Sequence, residues 1–153
     1  MHECSRKDEK WVSMALNEAV KSEMLHRHGC LAVSGGKYIA KGCNNYRTYS
    51  RDGLIRNCCS CHAEVNVLRK CLKNPHNRLN LYIVRISQDG KMRNSEPCFM
   101  CVSLMKSYFV KYIIYSTNDG IRKCKISEYT SSSLHLNEKY QRKHTDWHGF
   151  GII

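Results

Sequence analysis

Apolar positions change their spacing several times along the chain, and each change marks an element. From Lys10 to Val20, the residues Trp11, Met14, Ala15, Leu16, Ala19 and Val20 recur near the helical period, which predicts a helix from about Asp8 to Met24. Gly29 to Val33 is short and apolar, Gly35-Gly36 signals a turn, and Tyr38 to Gly42 resumes an extended pattern. Together these predict a hairpin leading to Asn44. Between Asn44 and Ser60 the pattern is lost, and a connection of that length is functional or disordered. Helical spacing returns from His62 to about Leu72 and stops before Lys73-Asn74-Pro75. Leu79 to Ile86 reads as a largely buried strand. Asp89-Gly90 then turns the chain back, a second helix is predicted from Cys98 to about Phe109, and Lys111 to Ser116 forms another strand. Ile121 to Tyr129 adds a further one.

Helix, hairpin, helix, strand, helix, strand predicts the α/β class, as a three-layer α/β/α sandwich with a mixed sheet of about five strands. At 153 residues the chain fits one domain with a core that needs no staples. That domain is expected over residues 1–130. Ser131-Ser132-Ser133 opens an extension, 131–153, whose Lys139, Arg142, Lys143, His144, Trp147 and His148 make it basic and aromatic. It is expected to be partly disordered or packed on the domain or a partner subunit. No internal repeat is present.

Ten cysteines in a short secreted chain would suggest a disulfide scaffold. However, Met1 to Asp8 is polar and has no apolar core of a signal peptide, and no apolar run is long enough to span a membrane. A reduced intracellular compartment is therefore expected, with no membrane partner and with cysteines serving as buried hydrophobes or metal ligands. The formal charge of +12 changes the picture of partners. Basic residues outnumber acidic ones ten to six over 1–61, eight to three over 62–110 and seven to four over 111–153, so no block dominates. Charge spread this way favours nucleotide phosphates or a polynucleotide backbone. A merely soluble, lysine-rich surface is the alternative.

Two signatures carry the chemistry. Cys61-His62-Ala63-Glu64 places His-x-Glu at the front of an apolar helical run, and Pro97-Cys98-Phe99-Met100-Cys101 places a proline before two cysteines three residues apart. Pro97 suits the first helical position, which sets Cys98 and Cys101 on one face. Zinc accepts mixed sulfur and nitrogen ligands, and a catalytic site uses three of them and keeps the fourth position for water. His62, Cys98 and Cys101 supply three, leaving Glu64 to move protons. A lone Cys-x-x-Cys is more often a structural zinc knuckle or a redox pair than a catalytic centre, but the ordered combination is the signature of zinc-dependent nucleobase deaminases.

Over roughly Leu31 to Asp119 the chain resembles the cytidine and deoxycytidylate deaminase superfamily, which includes tRNA adenosine, guanine and polynucleotide cytosine deaminases. The resemblance implies the same three-layer fold, Zn²⁺ as cofactor, and a homo-oligomer, a dimer or larger. It also implies that the Ala63 backbone N–H meets a polar edge of the base, and that Gly42-Cys43-Asn44 matches the family's Gly-x-Asn, whose asparagine binds sugar or base. A turn role is the alternative for Asn44. Arg47, Arg51 and Arg56 share a loop with Tyr46 and Tyr49, a mixture suited to gripping phosphate and stacking on a base, or to a solvated basic surface. Asn44, Ala63, Arg47 and Pro97 are the candidate substrate contacts.

The expected substrate is cytosine in a (deoxy)cytidine nucleotide or single-stranded polynucleotide, with adenosine in RNA second and guanine third. A zinc-stabilised nucleic-acid-binding module without turnover is the rival class. Glu64 argues against it, since a structural site has no need of a carboxylate there. Cys58 and Cys59 with His26 or His28 form an alternative second metal site, set against ordinary buried cysteine.

Overall fold

The computed structural model describes residues 3–55, 61–72 and 78–129. In order, these form α1 (Arg6–Val20), β1 (Arg27–Ser34), β2 (Lys37–Cys43), α2 (Ala63–Cys71), β3 (Leu79–Ile86), β4 (Met92–Arg93), α3 (Phe99–Ser107), β5 (Val110–Thr117) and β6 (Gly120–Lys125). The sheet order is β2-β1-β3-β5-β6, with the two-residue β4 paired to the end of β3. β1 runs antiparallel to both β2 and β3, whereas β3 and β5 are parallel. A parallel pair needs a crossover, and α3 supplies it.

Side chains that alternate along β3 enter two different cores, which is why its sequence is almost uniformly apolar. Leu79, Leu81 and Ile83 pack with Val65 and Leu68 of α2 and Met105 of α3. Tyr82, Val84 and Ile86 pack with Trp11, Ala15 and Ala19 of α1. The sheet is thus covered by α1 on one face and by α2 and α3 on the other, the three layers read from the sequence. Gly29 sets how closely α1 can approach, because a Cβ there would lie 2.0 Å from the Ala15 carbonyl oxygen and 2.4 Å from the Ala19 nitrogen.

Several boundaries differ from expectation for identifiable reasons. Helix α1 begins at Arg6 because Ser5 caps it: the Ser5 hydroxyl accepts from the Asp8 N–H at 3.1 Å and the Asp8 carboxylate accepts from the Ser5 N–H at 2.9 Å. It stops at Val20, four residues early, where Ser22 turns to donate to Asn44 Oδ1 at 2.6 Å. Helix α3 starts at Phe99, with Cys98 as its extended N-cap, so Pro97 precedes the helix and does not open it. The last strand ends at Lys125, and Tyr129 folds back edge-on against Tyr115 at 5.8 Å between ring centres. No helix among the described residues is long and apolar enough to cross a membrane. The expectations for Lys73-Asn74-Pro75, Arg56, Cys58, Cys59 and the 131–153 extension lie outside the described residues.

Asp8 also ties α1 to the sheet. Its carboxylate accepts from the Tyr82 hydroxyl at 2.5 Å and from Lys123 Nζ at 2.9 Å, in a setting that leaves the residue 4% exposed. Burial alone raises a carboxyl, but the Tyr82 hydroxyl, the Ser5 N–H and the Lys123 ammonium outweigh it and hold Asp8 below the usual carboxylate value. A carboxyl lowered by folding adds stability that is fully present above its unfolded pKa, near 3.9, and is lost as pH falls through the folded value. Asp8→Asn is therefore expected to cost about 2–3 kcal/mol near neutral pH, a charged hydrogen bond's worth. In urea titrations the gap between variant and wild type should close below about pH 4; a pH-independent gap would exclude the ionised carboxylate as its source.

Candidate active site

The loop after β2 brings His62 to the site by closing on itself. Asn45 and Cys61 exchange backbone hydrogen bonds at 3.0 and 2.8 Å, and Asp52 pairs with Arg69 of α2 at 2.8 Å. Asn66 donates to the Cys43 carbonyl at 2.9 Å, an approach that a side chain at Gly42 would block. His62 is the extended N-cap of α2, as Cys98 is of α3. Two helix N-termini therefore converge, and each favours anionic sulfur nearby.

The ligand atoms of His62, Cys98 and Cys101 all lie within 4.8 Å of one another. His62 Nδ1 is 3.2 Å from Cys101 Sγ and 3.8 Å from Cys98 Sγ. Zinc bonds of about 2.0–2.3 Å in a tetrahedron put ligand atoms roughly 3.5–3.8 Å apart, so the spacing and the donor set both fit zinc. The ring's other nitrogen, Nε2, is buried with no hydrogen-bond partner among the described residues. Among those residues this is the one cluster suited to a metal.

Electrostatics divide the cluster. The hydrogen bond from Cys101, reinforced by His62, holds Cys98 down to about 4 against the opposing effect of burial. Cys101 moves the other way, well up, through its hydrogen bond to Cys98, burial and the Cys98 charge. Burial lowers His62, but the Cys98 hydrogen bond and charge outweigh it and the net shift is upward. Burial raises Glu64, and the nearby Cys98 charge adds to that. Its carboxyl is 5% exposed, so it holds a proton to higher pH than a surface glutamate.

A cleft enclosing about 430 Å³ of empty space, its mouth included, opens onto this cluster. It is lined by His62, Ala63, Glu64 and Cys98 together with His28, Asn44, Ser95 and Glu96. Ala63 opens α2, where a backbone N–H has no intrahelical acceptor. Asn44 is mostly committed: Oδ1 accepts from Ser22 and from the His28 N–H, and Nδ2 donates to the His26 carbonyl at 2.7 Å. One Nδ2 hydrogen is left. The turn role and the cavity position of Asn44 thus coexist. Pro97 is not in the wall, although its carbonyl lies 3.5 Å from the Tyr129 hydroxyl. Arg47 is exposed, donates to the Tyr49 carbonyl at 2.7 Å, and lines a separate cleft with Asp52, Arg69 and Lys70.

His28, Ser95 and Glu96 enter the wall without having been singled out as substrate contacts. Burial lowers His28 to about 4, which keeps its ring neutral. Ser95 joins the strands by accepting from the Ser116 N–H at 2.9 Å and donating to the Ile83 carbonyl at 2.8 Å. Its position directly before the Glu96-Pro97-Cys98 run was the available signal.

The fold has relatives of known structure. The dCMP deaminase of cyanophage S-TIM5 in apo form aligns with a TM-score of 0.55 at 20% identity, over 74% of this chain and 84% of that one. The same enzyme in complex with dCMP and dUMP gives 0.54 at 22%, over 74% and 83%. Cytidine deaminase from Burkholderia pseudomallei gives 0.59 at 15%, over 82% and 95%. No curated protein matches the chain in sequence. The family described as the cytidine and deoxycytidylate deaminase zinc-binding region matches residues 5–117, a stretch that holds both helix N-termini and all three metal-type ligands. With its fold, its His-Cys-Cys cluster and that match in agreement, the chain belongs to the cytidine and deoxycytidylate deaminase family.

Proposed function

We propose that this protein hydrolytically deaminates cytosine to uracil in a (deoxy)cytidine nucleotide or single-stranded polynucleotide, with zinc held by His62, Cys98 and Cys101. One observation carries the reading: Glu64, a buried carboxyl with a raised pKa, lines the same cavity as His62 and Cys98, two members of the His62–Cys98–Cys101 cluster. A structural zinc site has no use for it. When bound, zinc supplies Lewis-acid activation of water at the cavity floor.

The protein's own groups do the rest. Glu64 carries protons: it takes one from the attacking water and delivers it to the ring nitrogen, then takes the second from the hydroxyl added to the ring carbon and passes it to the amine, which leaves as ammonia as the C–N bond breaks. Its raised pKa suits a group that must both accept and give. The Ala63 N–H, at a helix start, donates to a polar edge of the base. Asn44 holds the His26–His28 segment in place and turns its one uncommitted N–H to sugar or base. His28, kept neutral by burial, lines the cavity without adding a charge.

Ammonia release from a panel of cytosine, adenine and guanine nucleosides, nucleotides and oligonucleotides tests the reading. The zinc-loaded protein is expected to act on cytosine compounds. Release from adenosine alone would replace the base, and silence across the panel would leave a zinc-stabilised binding module.

A further inference from the structure

The outer face of α2 carries a cleft of its own, enclosing about 870 Å³ of empty space with its open mouth included. Asn66, Arg69 and Lys70 line it from one side, spaced so that they share a face of the helix, while Val67, Leu68 and Cys71 turn inward. Arg47 and Asp52, from the loop after β2, line it from the other.

That loop is braced. Besides the Asn45–Cys61 bridge, Asn45 Oδ1 accepts from the Arg47 N–H at 2.9 Å, and the Ser50 N–H donates to the Ile55 carbonyl at 2.7 Å. Ser50 and Ile55 are each 1% exposed, so they anchor the turn. Tyr46 and Tyr49, by contrast, stand 61% and 66% exposed on it. A firm loop that leaves two rings in water presents flat surfaces on which a base can stack.

The charges beside these rings are uncompensated. Asp52 is the one carboxylate in the lining, and it is taken by Arg69 at 2.8 Å and by the Ser50 hydroxyl at 2.5 Å. Arg47 and Lys70 have no acidic partner among the described residues. Arg47 gives its Nε to the Tyr49 carbonyl and Lys70 gives one donor to the Lys41 carbonyl at 2.5 Å, which leaves most of their N–H groups for a ligand. Leu72 is the one aliphatic side chain in the lining, so a protein partner would find little to bury. Cations alternating with open aromatic rings suit phosphates alternating with bases. Arg47 is three residues from Asn44 of the cavity wall, at most about 11 Å along the chain. Nucleotides next to a base seated over Glu64 can reach it.

We infer that this loop and the outer face of α2 form a track for the nucleotides flanking the target base, so that the substrate is a single-stranded polynucleotide. Tyr46 and Tyr49 are the stacking surfaces, and Arg47 and Lys70 the phosphate contacts. The inference rests on the deaminase reading and chooses between its two forms of substrate.

Fluorescence anisotropy of a labelled oligodeoxycytidine on the zinc-loaded protein, with dCMP as competitor, makes the test. Tyr46→Ala and Tyr49→Ala are each expected to weaken oligonucleotide binding about five- to a hundredfold, as for loss of one stacked base. Arg47→Gln and Lys70→Gln should each flatten the slope of log affinity against log salt by about 0.7. The kcat/KM for the oligonucleotide should fall relative to that for deoxycytidine in all four. An oligocytidine arm tells RNA from DNA, and tighter binding of either polymer than of dCMP supports the track. Polymer bound no better than dCMP, unaltered affinity in the four variants, or equal loss on oligonucleotide and deoxycytidine would each overturn the inference. So would a changed subunit count in sedimentation with oligonucleotide binding kept, which would give the face to a second copy of the chain. Anisotropy needs no turnover, so variant-sensitive binding without ammonia release supports the track while removing the deaminase reading.

Discussion

Glu64→Gln is expected to lower kcat by about 10³–10⁴-fold while zinc content stays at the wild-type level, the upper part of what general acid–base catalysis contributes. The substitution keeps the shape of the side chain and its capacity to bond within a site that leaves the residue 5% exposed, and so removes little packing. What it removes is a group that can hold a proton and release it. Glu64 is raised by burial and by the Cys98 charge, and more than one proton transfer in the proposed reaction passes through it. The loss should therefore appear in kcat and kcat/KM together, with KM little changed, the pattern of an interaction made in the transition state. Metal analysis beside steady-state ammonia release makes the check. Turnover within a few-fold of wild type would remove Glu64 from the chemistry, and loss of zinc with activity would make it a structural member of the cluster.

The parts of this site that were legible in the sequence are those whose spacing is fixed by a helix. His62 and Glu64, and likewise Cys98 and Cys101, are each separated by less than one turn, so local geometry places each pair and the shared cavity needs only that two N-termini meet. The same holds for the fold. β3 could be read as a buried strand because both faces of it are covered, and the period of α1 follows from packing on Gly29 through Ala15 and Ala19. Boundaries were less legible because they depend on distant partners. α1 ends where Ser22 finds Asn44, and α3 begins after Cys98 because the N-cap, in extended conformation, leaves that sulfur beside His62. His28 reaches the cavity through the register of β1 on β3, which nothing local marks, and Ser95 through its hydrogen bonds to Ile83 and Ser116, distant partners for which its place before Glu96-Pro97-Cys98 was the only local signal. β4 is two residues long and has no pattern to display.

Cys101→Ser is expected to cost the protein its metal and, with it, all measurable turnover. Cys101 has no exposed surface, and its thiol is pushed well above the usual value by its hydrogen bond to Cys98 and by burial, while Cys98 is held down to about 4. In the metal-free chain the two sulfurs thus share one proton between them. A dication replaces that proton and answers both sulfurs and the His62 imidazole at once. A serine hydroxyl does not ionise in this range and offers a poor ligand, so two good donors are left where a catalytic zinc uses three. After dialysis against a chelator, metal analysis should give about one zinc per wild-type chain and near none in the variant. Thermal unfolding of Cys101→Ser should match that of the stripped wild type and show no upward shift on adding zinc, because the ligand-linked stabilisation is gone. The wild-type site carries a sign that checks the same argument. Since a proton must leave Cys101 as metal binds, zinc affinity should rise with pH, by up to about tenfold per unit for each proton released. Competition with a chromophoric chelator at two pH values measures that slope, and a flat response would mean that the buried thiol is not the group the metal displaces its proton from.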